Sequence, residues 1–187
     1  MLAARTLELA EKHQIPQLAE HARCCLGWAR AWLGRPSEGV ALICPAIAGL
    51  AAIGMHDDTF ILALAESQAL SGAIDDALET IEQVLQPNRP DNIVRPEAFR
   101  LRGELRTKQG RREPAEADFR TALTLAHSMG AKALELRATM SLARLLRDTG
   151  RRDEAYSMLA DIYNWFTEGF DTADLKDAKA LLDELTA

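Results

Sequence analysis

Aromatic residues are scarce in this 187-residue chain, at 5% of the total, and its 48% hydrophobic content is carried mainly by Ala and Leu. An interior of small and straight-chain groups suits close helix packing and reads as an all-helical protein. Cysteine is nearly absent. Cys24, Cys25 and Cys44 show neither the CxxC pairing of a zinc site nor the density of a secreted disulfide scaffold, so they read as small buried hydrophobes. No apolar run reaches the roughly 18 residues that span a bilayer, and the start MLAARTLELAEKHQ lacks a secretory core with a cleavage site. The expected address is the cytoplasm, with no membrane partner. Positive charge is also short, with Lys and Arg at 22 against 28 Asp and Glu, a net charge of −6 and a pI near 5.3. A nucleic-acid binder needs a basic face, so nucleic acid is not an expected partner.

Catalytic signatures are missing too. No GxxxxGK[ST] phosphate loop occurs. His13, His21, His56 and His127 never approach HExxH or a Cys/His cluster, and Asp57-Asp58 and Asp75-Asp76 precede helices, where carboxylates cap. No catalytic, cofactor-binding or metal-ligating residue is assigned, no cofactor is expected, and the chain is not read as an enzyme.

What is present is a repeat. Four segments superimpose on Gly34, Gly72, Gly110 and Gly150, spaced 38, 38 and 40 residues apart. Seven residues before each glycine stands a small residue (Gly27, Ala65, Gly103, Ala143), and five after it another (Gly39, Ala77, Ala115, Ala155). Nine and twelve after it come Ile43 and Ala46, Ile81 and Val84, Phe119 and Ala122, Leu159 and Ile162, one face of a helix. The pattern predicts a helical hairpin. Small residues let two backbones approach, and the glycine ends the first helix in a left-handed conformation.

This arrangement resembles the tetratricopeptide repeat, with Ala115, Phe119 and Ala122 matching the Ala, large apolar, Ala series of its second helix. The period is four to six residues longer than the usual 34, which predicts helices about a turn longer. Repeats of this longer kind look like those in the regulatory halves of large bacterial signalling ATPases. Arg102 and Arg106 depart from the pattern by occupying inward positions of a first helix, so Leu101 and Leu105 are expected to carry its packing. The fold expected is all-α: a right-handed superhelical solenoid with a 38–40 residue period and a C-terminal capping helix. It is read as a single repeat domain over 1–187, with a half repeat at 1–13, helix pairs at 16–53, 57–86, 96–129 and 131–166, and a capping helix at 173–186. The proline-rich QPNRPDNIVRP, 86–96, is its one extended loop.

Residues 1–13 align with a second helix lacking its first, which reads as a fragment of a longer protein and leaves a face open to self-association. At the other end, Tyr163, Trp165, Phe166 and Phe170 precede a polar helix with Thr172 at its N-cap and Leu175, Ala178, Leu181 and Leu182 on one face. The stretch GRRDEAYSMLADIYNWFTEGFDTADLKDAKALLDEL resembles the extreme C-terminus of bacterial multidomain class III adenylate or guanylate cyclases and related signalling ATPases. That resemblance implies a parent with catalytic domains elsewhere and a regulatory role here.

In solenoids of this kind the first helices line the concave face, and their exposed positions fall at fixed offsets from the small residue. Counting gives Cys24, Trp28 and Trp32, then Leu62, Glu66 and Leu70, then Arg100, Glu104 and Lys108, and finally Met140, Arg144 and Arg147. Trp28 and Trp32, a turn apart, would anchor a partner's apolar groups or fill a joint with an upstream repeat. Arg100, Arg144 and Arg147 would grip a carboxylate or phosphate, or pair with neighbouring acids. The function expected is a non-catalytic module that binds a protein or peptide, including other domains of its parent. The alternative is a small-molecule inducer sensor.

Overall fold

Helices fill almost the whole chain. The computed structural model describes residues 2–86 and 93–186, and among these there are ten α-helices and no strand. They are α1 (Leu2–Lys12), α2 (Pro16–Trp32), α3 (Pro36–Ala52), α4 (Asp58–Leu70), α5 (Ile74–Val84), α6 (Val94–Lys108), α7 (Arg112–Ser128), α8 (Lys132–Asp148), α9 (Arg152–Tyr163) and α10 (Ala173–Thr186). The chain divides into two compact units, Met1–Arg89 and Pro90–Ala187. Of the stretch expected as an extended loop, residues 87–92 lie outside the described residues, and α6 begins two residues earlier than expected. Its first turn takes in Pro96, where a missing N–H has no helical partner to lose.

All four repeat glycines adopt the same turn. Gly34, Gly72, Gly110 and Gly150 have φ of 83°, 85°, 75° and 83°. The amide after each donates back to the carbonyl five residues earlier: Arg35 to Arg30 at 3.0 Å, Ala73 to Gln68 at 3.0 Å, Arg111 to Arg106 at 2.8 Å and Arg151 to Leu146 at 2.8 Å. This pairing satisfies carbonyls that a helix end leaves open. The same closure joins one hairpin to the next at Gly54 and Gly130, and at Gln14, which holds φ of 54° without a glycine's freedom. Gly54 and Gly130 each follow a repeat glycine by 20 residues, so these turns keep the same period.

In the first unit α1 packs on α2, the α2–α3 and α4–α5 hairpins form, and α4 lies against both α2 and α3. In the second, α6–α7 and α8–α9 form hairpins, α8 lies against α6 and α7, and α10 packs on α8 and α9. All eight small residues that define the register are buried, as are Ile43, Ile81, Phe119 and Leu159 opposite them. Burying each of those large side chains contributes roughly 1.5–3 kcal/mol. Leu175, Ala178, Leu181 and Leu182 are buried along α10, joined by Leu185. Thr172 precedes that helix, but its hydroxyl donates to the Gly169 carbonyl at 2.7 Å.

Two expectations are corrected. The longer period does not lengthen every helix: α2 and α3 have 17 residues each, while α4 and α5 have 13 and 11. The second repeat's extra residues follow α5. Only Cys24 is buried, whereas Cys25 and Cys44 are exposed, because a helix turns about 100° per residue and each follows an inward-facing residue.

Candidate functional site

The first-helix face of the Met1–Arg89 unit is built by α2 and α4. Trp28 is 44% exposed and Trp32 63%, one turn apart on α2, and Leu70 is exposed at the end of α4. Leu33, which the offsets pass over, extends the patch just beyond α2. The Trp28 indole N–H donates to Glu66 Oε2 at 2.7 Å. These two residues hold the same position in successive repeats, so the bond ties α2 to α4. Trp28 is thus pinned, and Trp32 stands clear.

Three of the residues placed on this surface are not on it. Cys24, Leu62 and Met140 are buried. Each stands three before the small residue of its repeat. Cys24, for example, packs with Ile43, Ala46 and Leu50 of α3 and Ala63 of α4. Burial pushes its thiol up to about 12, with Cys25, Glu20 and Asp57 adding to the effect, so it is a core group and not a nucleophile. Leu62 likewise stands three before Ala65 and is withdrawn with its neighbours Ile61 and Ala63.

In the Pro90–Ala187 unit the same face is charged. Arg100, the residue at the same offset, is half-buried between Glu97 at 2.5 Å and Glu104. Glu104 also accepts the Ser141 hydroxyl from the next first helix at 2.9 Å. Arg147 pairs with Glu184 at 2.6 Å and Asp148 at 3.0 Å. Two of the three arginines expected to grip an anion are therefore taken by neighbouring acids. Lys108 and Arg144 are exposed, and Arg144 has no ion-pair partner among the described residues.

Asp118 was not singled out by sequence. It is 3% exposed on α7 and receives Arg102 at 2.7 Å and Arg106 at 2.7 Å. The two inward arginines of α6 thus find their counter-charge inside the hairpin, while Leu101 and Leu105 are buried as expected. Two arginines at i and i+4 on an inner face were themselves the signal, since such a pair needs a buried acid opposite.

A cleft of about 700 Å³ opens in this unit between α7, α8 and α9. Leu123, Met158 and Ile162 form its apolar lining, with Trp165 at one end. Lys132 Nζ lies 2.8 Å from Glu135 Oε2 and 5.6 Å above the Trp165 ring, and His127 Nδ1 lies 3.2 Å from Glu135 Oε1. Burial pushes the Glu135 carboxyl up, but hydrogen bonds from Lys132 and His127 outweigh it and hold the group below the usual carboxylate range. Asp57 caps α4 by accepting the Thr59 amide at 2.9 Å. Among the described residues no cluster of three or more His, Cys, Asp or Glu could hold a metal ion, and no helix is long and apolar enough to cross a membrane.

No known family profile matches the chain. An uncharacterised protein of Rhizobium meliloti (strain 1021) is 28% identical over 149 residues, which is 77% of this chain but 14% of that protein. The chain thus spans about a seventh of its relative's length. Among solved structures, BtubC of P. vanneervenii aligns over 98% of this chain and 87% of its own, with TM-score 0.76 and 17% identity. A signal transduction ATPase with numerous domains and a tetratricopeptide repeat sensor, from Pyrococcus horikoshii, aligns over 96% of this chain and 28% of its own, with TM-score 0.74 and 17% identity. The Rap conjugation gene regulator of plasmid pLS20, in complex with the Phr peptide, aligns over 94% and 50%, with TM-score 0.63 and 15% identity. The fold is that of the tetratricopeptide-like helical repeat proteins.

Proposed function

We propose that this chain is a non-catalytic protein-interaction and regulatory module, the repeat region of a bacterial adenylate cyclase or related signalling ATPase. The observation that carries the reading is the α2–α4 face, where Trp32, Leu70 and the pinned Trp28 form an exposed apolar surface held by a hydrogen bond between repeats. Large aromatic groups fixed on a rigid element are the usual energetic anchors of a protein interface. The signalling context draws on the repeat sensor of the Pyrococcus horikoshii protein and on the much longer Rhizobium relative. The cyclase context draws on the resemblance over residues 150–185 alone. The mechanism would be recognition of a protein, or of another domain of the parent, on this face, coupled to a catalytic site elsewhere.

The test compares nucleotide turnover of the longer parent with and without this region, and with Trp28→Ala and Trp32→Ala together. A regulatory module shifts turnover when removed, and the double substitution reproduces that shift. Unchanged turnover in both, together with no partner retained in a pull-down, would sink the proposal. Small-molecule sensing remains the second reading, and the cleft between α7, α8 and α9 is the observation in its favour.

A further inference from the structure

The cleft of the Pro90–Ala187 unit has a lopsided set of polar groups. Its hydroxyl donors are already engaged. The Thr124 hydroxyl donates to the Arg120 carbonyl at 2.9 Å, Ser128 to Leu125 at 2.8 Å and Thr139 to Glu135 at 2.8 Å, each within its own helix. Lys132 is held by Glu135 and the Trp165 ring. A hydroxyl that donates still carries acceptor lone pairs, and those of Thr124 and Ser128 are on exposed residues.

Asp161 completes the imbalance. It lines the cleft from α9, is exposed, and makes no hydrogen bond or ion pair among the described residues. Trp165 follows it by four residues, one turn on, and is 58% exposed. Lys132 and His127 both lie against Glu135, and Asp161 adds a second carboxylate to the cleft without a partner of its own among the described residues. Beside it the walls are Leu123, Met158 and Ile162. An apolar trough with spare acceptors, one carboxylate without an ion-pair partner among the described residues and a half-exposed indole that already attracts one cation, Lys132, fits a ligand with an apolar stem and a flat cationic donor head. The guanidinium meets both demands, because its fork matches a carboxylate and its plane stacks on an aromatic ring.

We infer that this cleft binds an arginine side chain of a partner peptide, with the stem on Leu123, Met158 and Ile162 and the guanidinium on Asp161 beside Trp165. The site is independent of the α2–α4 face, so either can fail alone.

The experiment titrates acetyl-Leu-Arg-Leu-amide into the whole chain and follows the indole N–H resonances by NMR, with Trp165 assigned through Trp165→Phe. Saturable movement of the Trp165 resonance, with Trp28 and Trp32 still, is the expected result. The same peptide carrying citrulline, which keeps the shape and loses the charge, should bind about tenfold more weakly, as should the wild-type peptide to Asp161→Asn. Absence of saturable movement at Trp165, equal binding of a glutamate peptide, or an Asp161→Asn variant that binds unchanged would overturn the inference. Butylguanidinium binding as tightly as the peptide would overturn the peptide assignment in favour of a free guanidine. Trp28→Ala with Trp32→Ala should leave the titration as it is.

Discussion

Where α2 crosses α3, glycine meets glycine, and where α6 crosses α7, glycine meets the ring of a phenylalanine. A Cβ built on Gly39 would lie 2.6 Å from the Gly27 carbonyl oxygen, and one built on Gly27 would lie 2.8 Å from the Gly39 carbonyl oxygen. That contact is backbone on backbone. A Cβ on Gly103 would instead lie 2.5 Å from Phe119 Cε1 and 2.8 Å from Cδ1. Both hairpins use the same repeat position, but the first spends it on closeness and the second on filling a hole. One consequence follows in composition. Backbone fills the Gly27–Gly39 crossing, whereas the α6–α7 pair holds the Arg102, Asp118 and Arg106 cluster.

The sharpest way to break this contrast is Gly39→Ala. Because no side chain can yield to relieve the clash, the substitution should destabilise the first unit by about 3 kcal/mol, at the upper end for overpacking. Chemical denaturation followed by far-ultraviolet dichroism measures it. A loss under about 1 kcal/mol would show that the helices simply slide apart. Next is Asp118→Ala, which leaves two arginines without their carboxylate. Breaking a buried pair costs about 3–5 kcal/mol, and since both arginines retain some access to water, about 2–3 kcal/mol is expected. Replacing all three residues with Leu should recover most of that loss, measured in the same way.

Gly103→Ala should cost about 2 kcal/mol by itself, since the Phe119 ring can shift. The discriminating experiment adds Phe119→Leu. The double variant should be closer to wild type than the sum of the singles, because the second change removes the atoms the new methyl strikes. Strict additivity would mean that the two crossings do not differ in kind.

The smallest effect is on pH. Glu154 is held below the usual carboxylate range by hydrogen bonds from Arg120 and Arg151. For Glu116 burial pushes upward, but the same two arginines prevail. A depressed carboxylate contributes stability that is complete above its unfolded value, near 4.5, and disappears as pH falls through the folded value. Acid titration of the second unit should therefore show a loss below about pH 4.5 that Glu116→Gln makes shallower. A profile identical in the variant would exclude the arginine–glutamate ladder as its source.

The hairpins were legible because their requirements are local. A left-handed turn favours a glycine, a close crossing needs small residues, and both recur at a fixed spacing, so Gly34 through Gly150 and the eight small positions could be read directly. The surface was legible only in part. Trp28, Trp32, Leu70 and Arg144 are exposed on the first helices, but Cys24, Leu62 and Met140 on those same helices are buried. Whether an offset faces solvent depends on how closely those helices approach, which no single repeat encodes. Asp118 escaped notice because an acid between Ala115 and Phe119 looks like a solvated helix residue until Arg102 and Arg106 are seen to face it. The cleft brings together residues from Leu123 to Trp165, from three helices and the turn after α9, so no contiguous motif marked it.

All three tryptophans of this protein sit at its surface, and none is in either core. Their intrinsic fluorescence in the native state should already resemble that of indole in water. Emission wavelength will thus change little on unfolding, and a melt followed that way would make a stable molecule look featureless. The same property makes the emission a direct optical readout of whatever settles on these surfaces, with a carboxylate poised at Trp28 and an ammonium poised at Trp165 to set its brightness.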